Sequence, residues 1–325
     1  MTNDEPLRDP WLIAVWPGMG TVALGAGGYL VNKLGARLVH ELPARDFFDI
    51  QQIEINEGVA RIGRLPRSMV FEYRHPGEGP DLLIFVGEAQ PPNRGYSCCH
   101  TLLDYAVRRG VKRIVTFAAM ATQLHPSNDP RVFGVATDKS QLPDLQQHGV
   151  EVLEEGQISG LNGVLLAAGM ERNLPGVCLL GELPFFAVGV PNPKASQAVL
   201  EVFSKMAGVE IDFTEIAEQA RTVEQGLLQL LEKMQDAAQQ QAESEGEGFS
   251  VPEFTVDAES GEEGGDDTTA NEPTLDYATR HRIESLFEEA RQDRTRAFRL
   301  KQELDRLGVF EQYEDRFLDL FRKGE

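Results

Sequence analysis

Five consecutive apolar residues, Leu82-Leu83-Ile84-Phe85-Val86, constrain the fold of this chain more than any other stretch. A β-strand points successive side chains to opposite faces, so an unbroken apolar run must be covered on both. The run is far too short to cross a bilayer, as are residues 11–16 and 164–170. Similar runs recur, separated by stretches with helical spacing, and that alternation predicts helices on both sides of one sheet. Strands are expected at about 11–16, 37–42, 52–55, 59–62, 69–73, 81–87, 113–119, 131–136, 151–153 and 177–181. Helices are expected at about 21–34, 96–109, 161–172 and 194–206. The hairpin-like pattern over 53–73 makes the sheet mixed. The expected fold is therefore α/β, a three-layer α/β/α sandwich with a mixed sheet, followed by a helical C-terminal region.

Charge narrows the possible partners. A formal net charge of −21 offers no basic field for nucleic acid or for a polybasic membrane contact. The acidic start, Met1-Thr2-Asn3-Asp4-Glu5, lacks the basic n-region of a signal peptide. Cys98, Cys99 and Cys178 are odd in number and show no CxxC spacing, so a reducing cytoplasm is expected, with no metal held by cysteine.

The chain divides by composition. Residues 1–10 read as disordered and 11–210 as the α/β/α domain. Residues 211–242 read as a helix whose Ile216, Ala220, Val223, Leu227, Leu230 and Met234 form a heptad seam, as in a coiled coil. Between Glu243 and Thr274 lie eleven acidic residues and no basic one, the mark of a disordered acidic linker. Residues 275–325 return to helical spacing, with Ile283, Leu286, Ala290, Ala297, Leu300 and Leu304 in register before Gly308. Each seam has three possible uses: to pack on the other, on the α/β domain, or on a partner chain.

Chemistry-bearing residues gather where strands should end. After the first strand comes Pro17-Gly18-Met19-Gly20-Thr21, a strand-to-helix turn of the kind that can cradle an anion. The third glycine of a dinucleotide fingerprint is missing, since Ala23 stands there, and no Gly-Lys-Ser or Gly-Lys-Thr follows. A close-packed turn explains Gly18, Gly20 and Thr21 equally. Glu88 ends the strongest strand and suits acid–base work, or a helix cap, or a pairing with Arg94. His125 is a base or phosphate-binding group in one reading and part of an Asx-type polar turn in the other. Asn162 opens a helix and Glu182 follows the last strand, both on the expected edge. Cys98 or Cys99 with His100 would be a thiol nucleophile and base, yet helix neighbours face apart and burial is the simpler reading.

Taken in order, these segments resemble the proteasome assembly chaperone family. The resemblance is carried by Trp16-Pro17-Gly18-Met19-Gly20-Thr21-Val22-Ala23, Lys33-Leu34-Gly35-Ala36 and Phe47-Phe48-Asp49. It continues through residues 81–88, 116–119, His125-Pro126, Gly134-Val135-Ala136-Thr137-Asp138 and 160–166. It closes with Leu183-Pro184 and Pro191-Asn192-Pro193-Lys194-Ala195. It implies a nucleoside-phosphorylase-like sandwich, usually in an oligomer, that binds proteasome α subunits in archaea and eukaryotes without catalysis. Members of the family can dock through a C-terminal hydrophobic-Tyr-any tail. The sequence given closes on Phe321-Arg322-Lys323-Gly324-Glu325, so docking by such a tail is not expected. The leading expectation is a cytoplasmic, non-catalytic, protein-binding homo-oligomer, without cofactor, metal, nucleic acid or membrane. The alternative is a hydrolase- or phosphorylase-type enzyme for a nucleoside-like or phosphorylated molecule. Its candidate ligand residues are Gly18, Gly20, Thr21, Glu88, His125, Asn162 and Glu182.

Overall fold

Residues 82–87 form the innermost part of a mixed sheet, every one of them buried. The computed structural model describes residues 5–50 and 53–245, and towards the C-terminus 283–284, 286–288, 290–291, 297–306 and 309–320. Its strands are β1 (Trp11–Val15), β2 (Arg37–Leu42), β3 (Ile53–Asn56), β4 (Val59–Ile62) and β5 (Ser68–Tyr73). They continue with β6 (Leu82–Gly87), β7 (Arg113–Thr122), β8 (Val132–Ala136), β9 (Glu151–Val152) and β10 (Gly176–Pro184). Its helices are α1 (Val22–Lys33), α2 (Gly95–Arg108), α3 (Leu142–Gln147), α4 (Leu161–Met170) and α5 (Pro193–Ala207). Three more follow: α6 (Thr214–Glu245), α7 (Ala297–Arg306) and α8 (Phe310–Asp319).

The large sheet runs β2-β5-β6-β1-β7-β10-β8-β9, and β3 pairs only with β4. β6, β1, β7 and β10 are mutually parallel, with β5 and β8 antiparallel beside them. The two faces follow the period-two alternation of β1. Leu12, Ala14 and Trp16 share a core with Leu102 and Leu103 of α2 and Leu165 of α4. On the opposite face Gly27 of α1 lies so close to Val15 that a Cβ there would fall 2.4 Å from a valine methyl. α5 joins α1 on that face, where Phe203 meets Phe117 edge-on. This is the expected three-layer sandwich.

The differences from expectation have local causes. α3 went unread because its six residues bury one apolar side chain, Leu145, too few to show a helical period. Residues 5–10 were expected to be disordered, yet Arg8 N donates to the Asp81 carboxylate, the Arg8 carbonyl accepts from Asp81 N, and the Pro10 carbonyl accepts from Lys112 N. Residues 1–4 and most of the acidic stretch, 246–274, lie outside the described residues.

The chain separates into two compact units, Met1–Leu227 and Leu228–Glu325. Within the first, Tyr29 Oη donates to the Asp212 carbonyl, Lys33 pairs with Glu215 at 2.9 Å, and Ile216, Ala220 and Leu227 are buried. The first part of the early seam is thus used on the α/β unit itself. In the second unit Ile283, Leu286, Phe287, Leu300 and Leu304 share a core with Phe317 of α8 and with Leu320 just after it. No described helix is long and apolar enough to cross a membrane.

Candidate functional site

The carboxyl ends of the four parallel strands meet the amino ends of their antiparallel neighbours on one edge. Ser68 of β5 lies opposite Gly87 of β6, and Val132 of β8 opposite Gly181 of β10. The residue preceding each antiparallel strand is an arginine, and the residue following each partner position is a glutamate. Topology therefore delivers Arg67 to Glu88 and Arg131 to Glu182.

Glu88 Oε2 accepts from the Arg67 backbone N–H and from Arg64 Nη1, both at 2.8 Å. Arg67 itself turns its guanidinium to Glu41, at 2.7 and 3.0 Å. Burial pushes the Glu88 carboxyl up, but the Arg67 N–H and the Arg64 guanidinium outweigh it and hold it below the usual carboxylate range. Glu182 is only 2% exposed and fully engaged. It accepts from Arg131 N, Nε and Nη2 at 3.0, 3.0 and 2.6 Å, and from Thr122 Oγ1 at 2.7 Å. Again burial raises the carboxyl, and the Arg131 and Thr122 bonds bring it below its ordinary value.

The sign of the resulting pH dependence is fixed. A carboxyl whose folded pKa is depressed stabilises the fold above its unfolded value, and that contribution disappears as pH falls through the folded one. Stability should therefore drop on acidification from about pH 5 downwards, and Glu182→Gln should flatten that part of the profile. Chemical denaturation along a pH series checks this; an unchanged slope would mean that Glu182 is not held ionised.

The glycine turn spends three of its N–H groups internally. Gly20 N donates to the Val188 carbonyl at 2.7 Å and Thr21 N to the Gly18 carbonyl at 3.0 Å. The Val22 N–H goes to Met19. Gly20 has φ +55°, and a Cβ there would sit 2.6 Å from Leu183 Cδ2, so the turn is shaped by packing. Asn162 is buried and holds the peptide of Trp16 from both sides: its Oδ1 accepts from Trp16 N at 2.9 Å and its Nδ2 donates to Trp16 O at 3.3 Å. His125 lies in an exposed turn, its Nδ1 hydrogen-bonded to Ser127 Oγ at 2.7 Å. Gln90, which sequence reasoning did not single out, donates to the Pro17 carbonyl at 2.7 Å and accepts from Leu161 N at 3.0 Å. An arginine at or close to the start of an expected strand was the available signal for Arg131 and Arg67. Nothing in the sequence marked Gln90.

These residues share an edge without sharing a cavity. β6 and β10 are three strand spacings apart, which separates Glu88 from Glu182 by about 14 Å. Glu182 borders a narrow cleft with Asn192, Lys194 and Glu224, and neither Gly18, Glu88 nor His125 lines it. That cleft has room for about one water molecule, and the 2.7 Å Lys194–Glu224 ion pair lies on its wall. Cys98 and Cys99 are both buried, which pushes each thiol up to about 12 and keeps it protonated. Among the described residues no group of three or more His, Cys, Asp or Glu is placed to hold a metal ion.

Comparison with known proteins agrees with this architecture. Residues 12–231 match the PAC2 family. The uncharacterized protein MJ1210 of Methanocaldococcus jannaschii is 27% identical over 247 residues, covering 74% of this chain and 92% of that protein. The crystal structure of Pyrococcus furiosus PbaB, an archaeal proteasome activator, superposes with a TM-score of 0.60 at 28% identity. That match covers 71% of this chain and 97% of PbaB. A PAC2 family protein from Streptomyces avermitilis gives a TM-score of 0.59 at 27% identity, over 68% of this chain and 96% of its own.

Proposed function

The chain belongs to the PAC2 family, and from that premise we propose that it is a non-catalytic, protein-binding factor that acts in the manner of an assembly chaperone. The observation that carries this reading is the likeness to the proteasome activator PbaB along nearly all of that protein's length. The engagement of the sheet edge supports the non-catalytic half: both glutamates, the asparagine and the N–H groups of Gly20, Thr21 and Val22 already have partners inside the protein. Acid–base or anion chemistry needs groups with free valence towards a ligand. In this reading the protein works as a cytoplasmic homo-oligomer. The helical C-terminal unit supplies contact surface for a partner chain, and the acidic stretch over 243–274 tethers it.

The test is capture of purified proteasome core particle by the immobilised full chain and by a chain ending at residue 242. The full chain should retain the particle. The shorter one should lose at least about ten-fold in affinity, a difference of about 1.4 kcal/mol, with the circular dichroism of the α/β unit preserved. Equal capture would remove the C-terminal unit from the contact. No capture by either chain would remove the proteasome as the partner.

A further inference from the structure

Between β2 and β5 the chain leaves the large sheet to form the β3–β4 hairpin, a two-stranded sheet of its own. Cross-strand partners point to one side. Ile53 lies opposite Ile62 and Ile55 opposite Ala60 on one face; Glu54 lies opposite Arg61 and Asn56 opposite Val59 on the other. The hairpin is thus amphipathic, with its apolar set on one side. That side is open: Ile53 is 58% exposed, Ile55 74% and Ile62 63%. Ile62 continues into a shallow, mostly apolar groove bordered by Pro43, Ala44, Ile50 and Leu65, with Arg45 on its rim. A lone two-stranded ribbon is marginal in water and needs a partner on its apolar face. A contiguous apolar patch of a few hundred Å² marks an interaction surface.

We propose that this hairpin face is the contact through which a second copy of the chain docks. Charge and area both favour that occupant. The chain carries −21 overall, so two copies repel across most approaches, yet residues 41–67 hold four arginines against five acidic residues. The isoleucine side of the hairpin carries no charge, and the one cation on the groove, Arg45, is solvent-exposed, so an identical face meets it without burying an unpaired ion. A nucleic acid or an anionic lipid surface would find no cationic row to engage. The exposed isoleucines and the groove amount to roughly 350 Å² per copy, or about 700 Å² for two. That approaches the apolar share, about 900 Å², of a standard 1,600 Å² interface. A two-fold contact places the same patch on both sides, as self-complementary apolar faces require.

The inference rests on the homo-oligomeric part of the function proposed above, and its test separates the two. Sedimentation of the full chain is compared with that of the double variant Ile53→Glu/Ile55→Glu. The wild type should self-associate, and the variant should weaken association by at least about 100-fold. At a concentration low enough for both to be monomeric its melting temperature should match the wild type, because both side chains are already exposed within one copy. In parallel, Ile55→Cys should give a covalent dimer under mild oxidation, while Met170→Cys, exposed elsewhere on the α/β unit, should not. Cys98, Cys99 and Cys178 are buried with thiols pushed up to about 12, so only the introduced cysteine reports. A monomeric wild type would overturn both the homo-oligomer and this contact. A double variant that assembles like the wild type, with no Ile55→Cys dimer, would overturn the hairpin contact alone and leave the oligomer standing on another face.

Discussion

Gly181→Val should destabilise the α/β unit by at least about 3 kcal/mol and leave it poorly folded at ordinary temperature. Gly181 is buried within β10, hydrogen-bonded between β7 and β8, and α5 passes directly over it. A Cβ at this position would lie 2.6 Å from the Ala195 carbonyl oxygen and 3.2 Å from the Ala195 Cβ. The nearest atom belongs to helix backbone, which cannot rotate away as a side-chain tip can, so α5 would have to lift off the sheet. Phe203 would then lose its contact with Phe117. Gly28→Ala is the matched control, because a Cβ there meets nothing within 4 Å and α1 gains helix propensity, by up to about 1 kcal/mol. Urea denaturation of both variants decides the matter. A Gly181→Val protein with wild-type midpoint would mean that α5 does not rest on β10 as described.

Asn162→Ala should cost about 3 kcal/mol, which for a unit of this size lowers the melting temperature by about 6–12 °C. The Asn162 amide stands in for a neighbouring strand: it satisfies both the N–H and the carbonyl of Trp16 where β1 runs out of partners. Alanine leaves those two buried groups without their bonds, and each unpaired group costs about 1–3 kcal/mol. Trp16 packs against Phe85 as a tilted pair with ring centroids 4.7 Å apart, so loosening its backbone also disturbs the centre of the core. A wild-type melting temperature in this variant would show that Asn162 holds nothing together and is free to meet a ligand.

The strands of the sandwich were legible because their cause is local. A residue run that must be buried on both faces announces itself in its own composition, as Leu82 to Val86 does. The lengths of β7 and β10 were not legible. Both strands run three residues past their expected ends, with Met120 opposite Glu182 and Thr122 opposite Pro184. A glutamate and a proline read as strand breakers. Here the glutamate is retained because Arg131 and Thr122 satisfy it, and β7 offers a parallel partner up to that point. The open face of β3 and β4 was legible as a pattern only: alternating isoleucines say that one side is apolar, and only the fold shows that Ile53, Ile55 and Ile62 on this side are exposed.

The amino-acid order was enough to establish the layered α/β/α architecture and the glycine turn, and to put Glu88 at a strand end and Asn162 at a helix start, whereas Glu182 lies within β10. These follow from side-chain periodicity and backbone preference, which act over a few residues. Which carboxylate meets which arginine was decided by tertiary structure alone. Strand order brings Arg67 to Glu88 across 21 residues of sequence and Arg131 to Glu182 across 51. The same order holds Glu88 and Glu182 apart, because hydrogen-bonded strands keep a constant spacing whatever side chains they carry. Residues that looked like one site in the sequence thus became two separate clusters bracing the edge of a sheet, Glu88 with Arg64 and the Arg67 backbone, and Glu182 with Arg131.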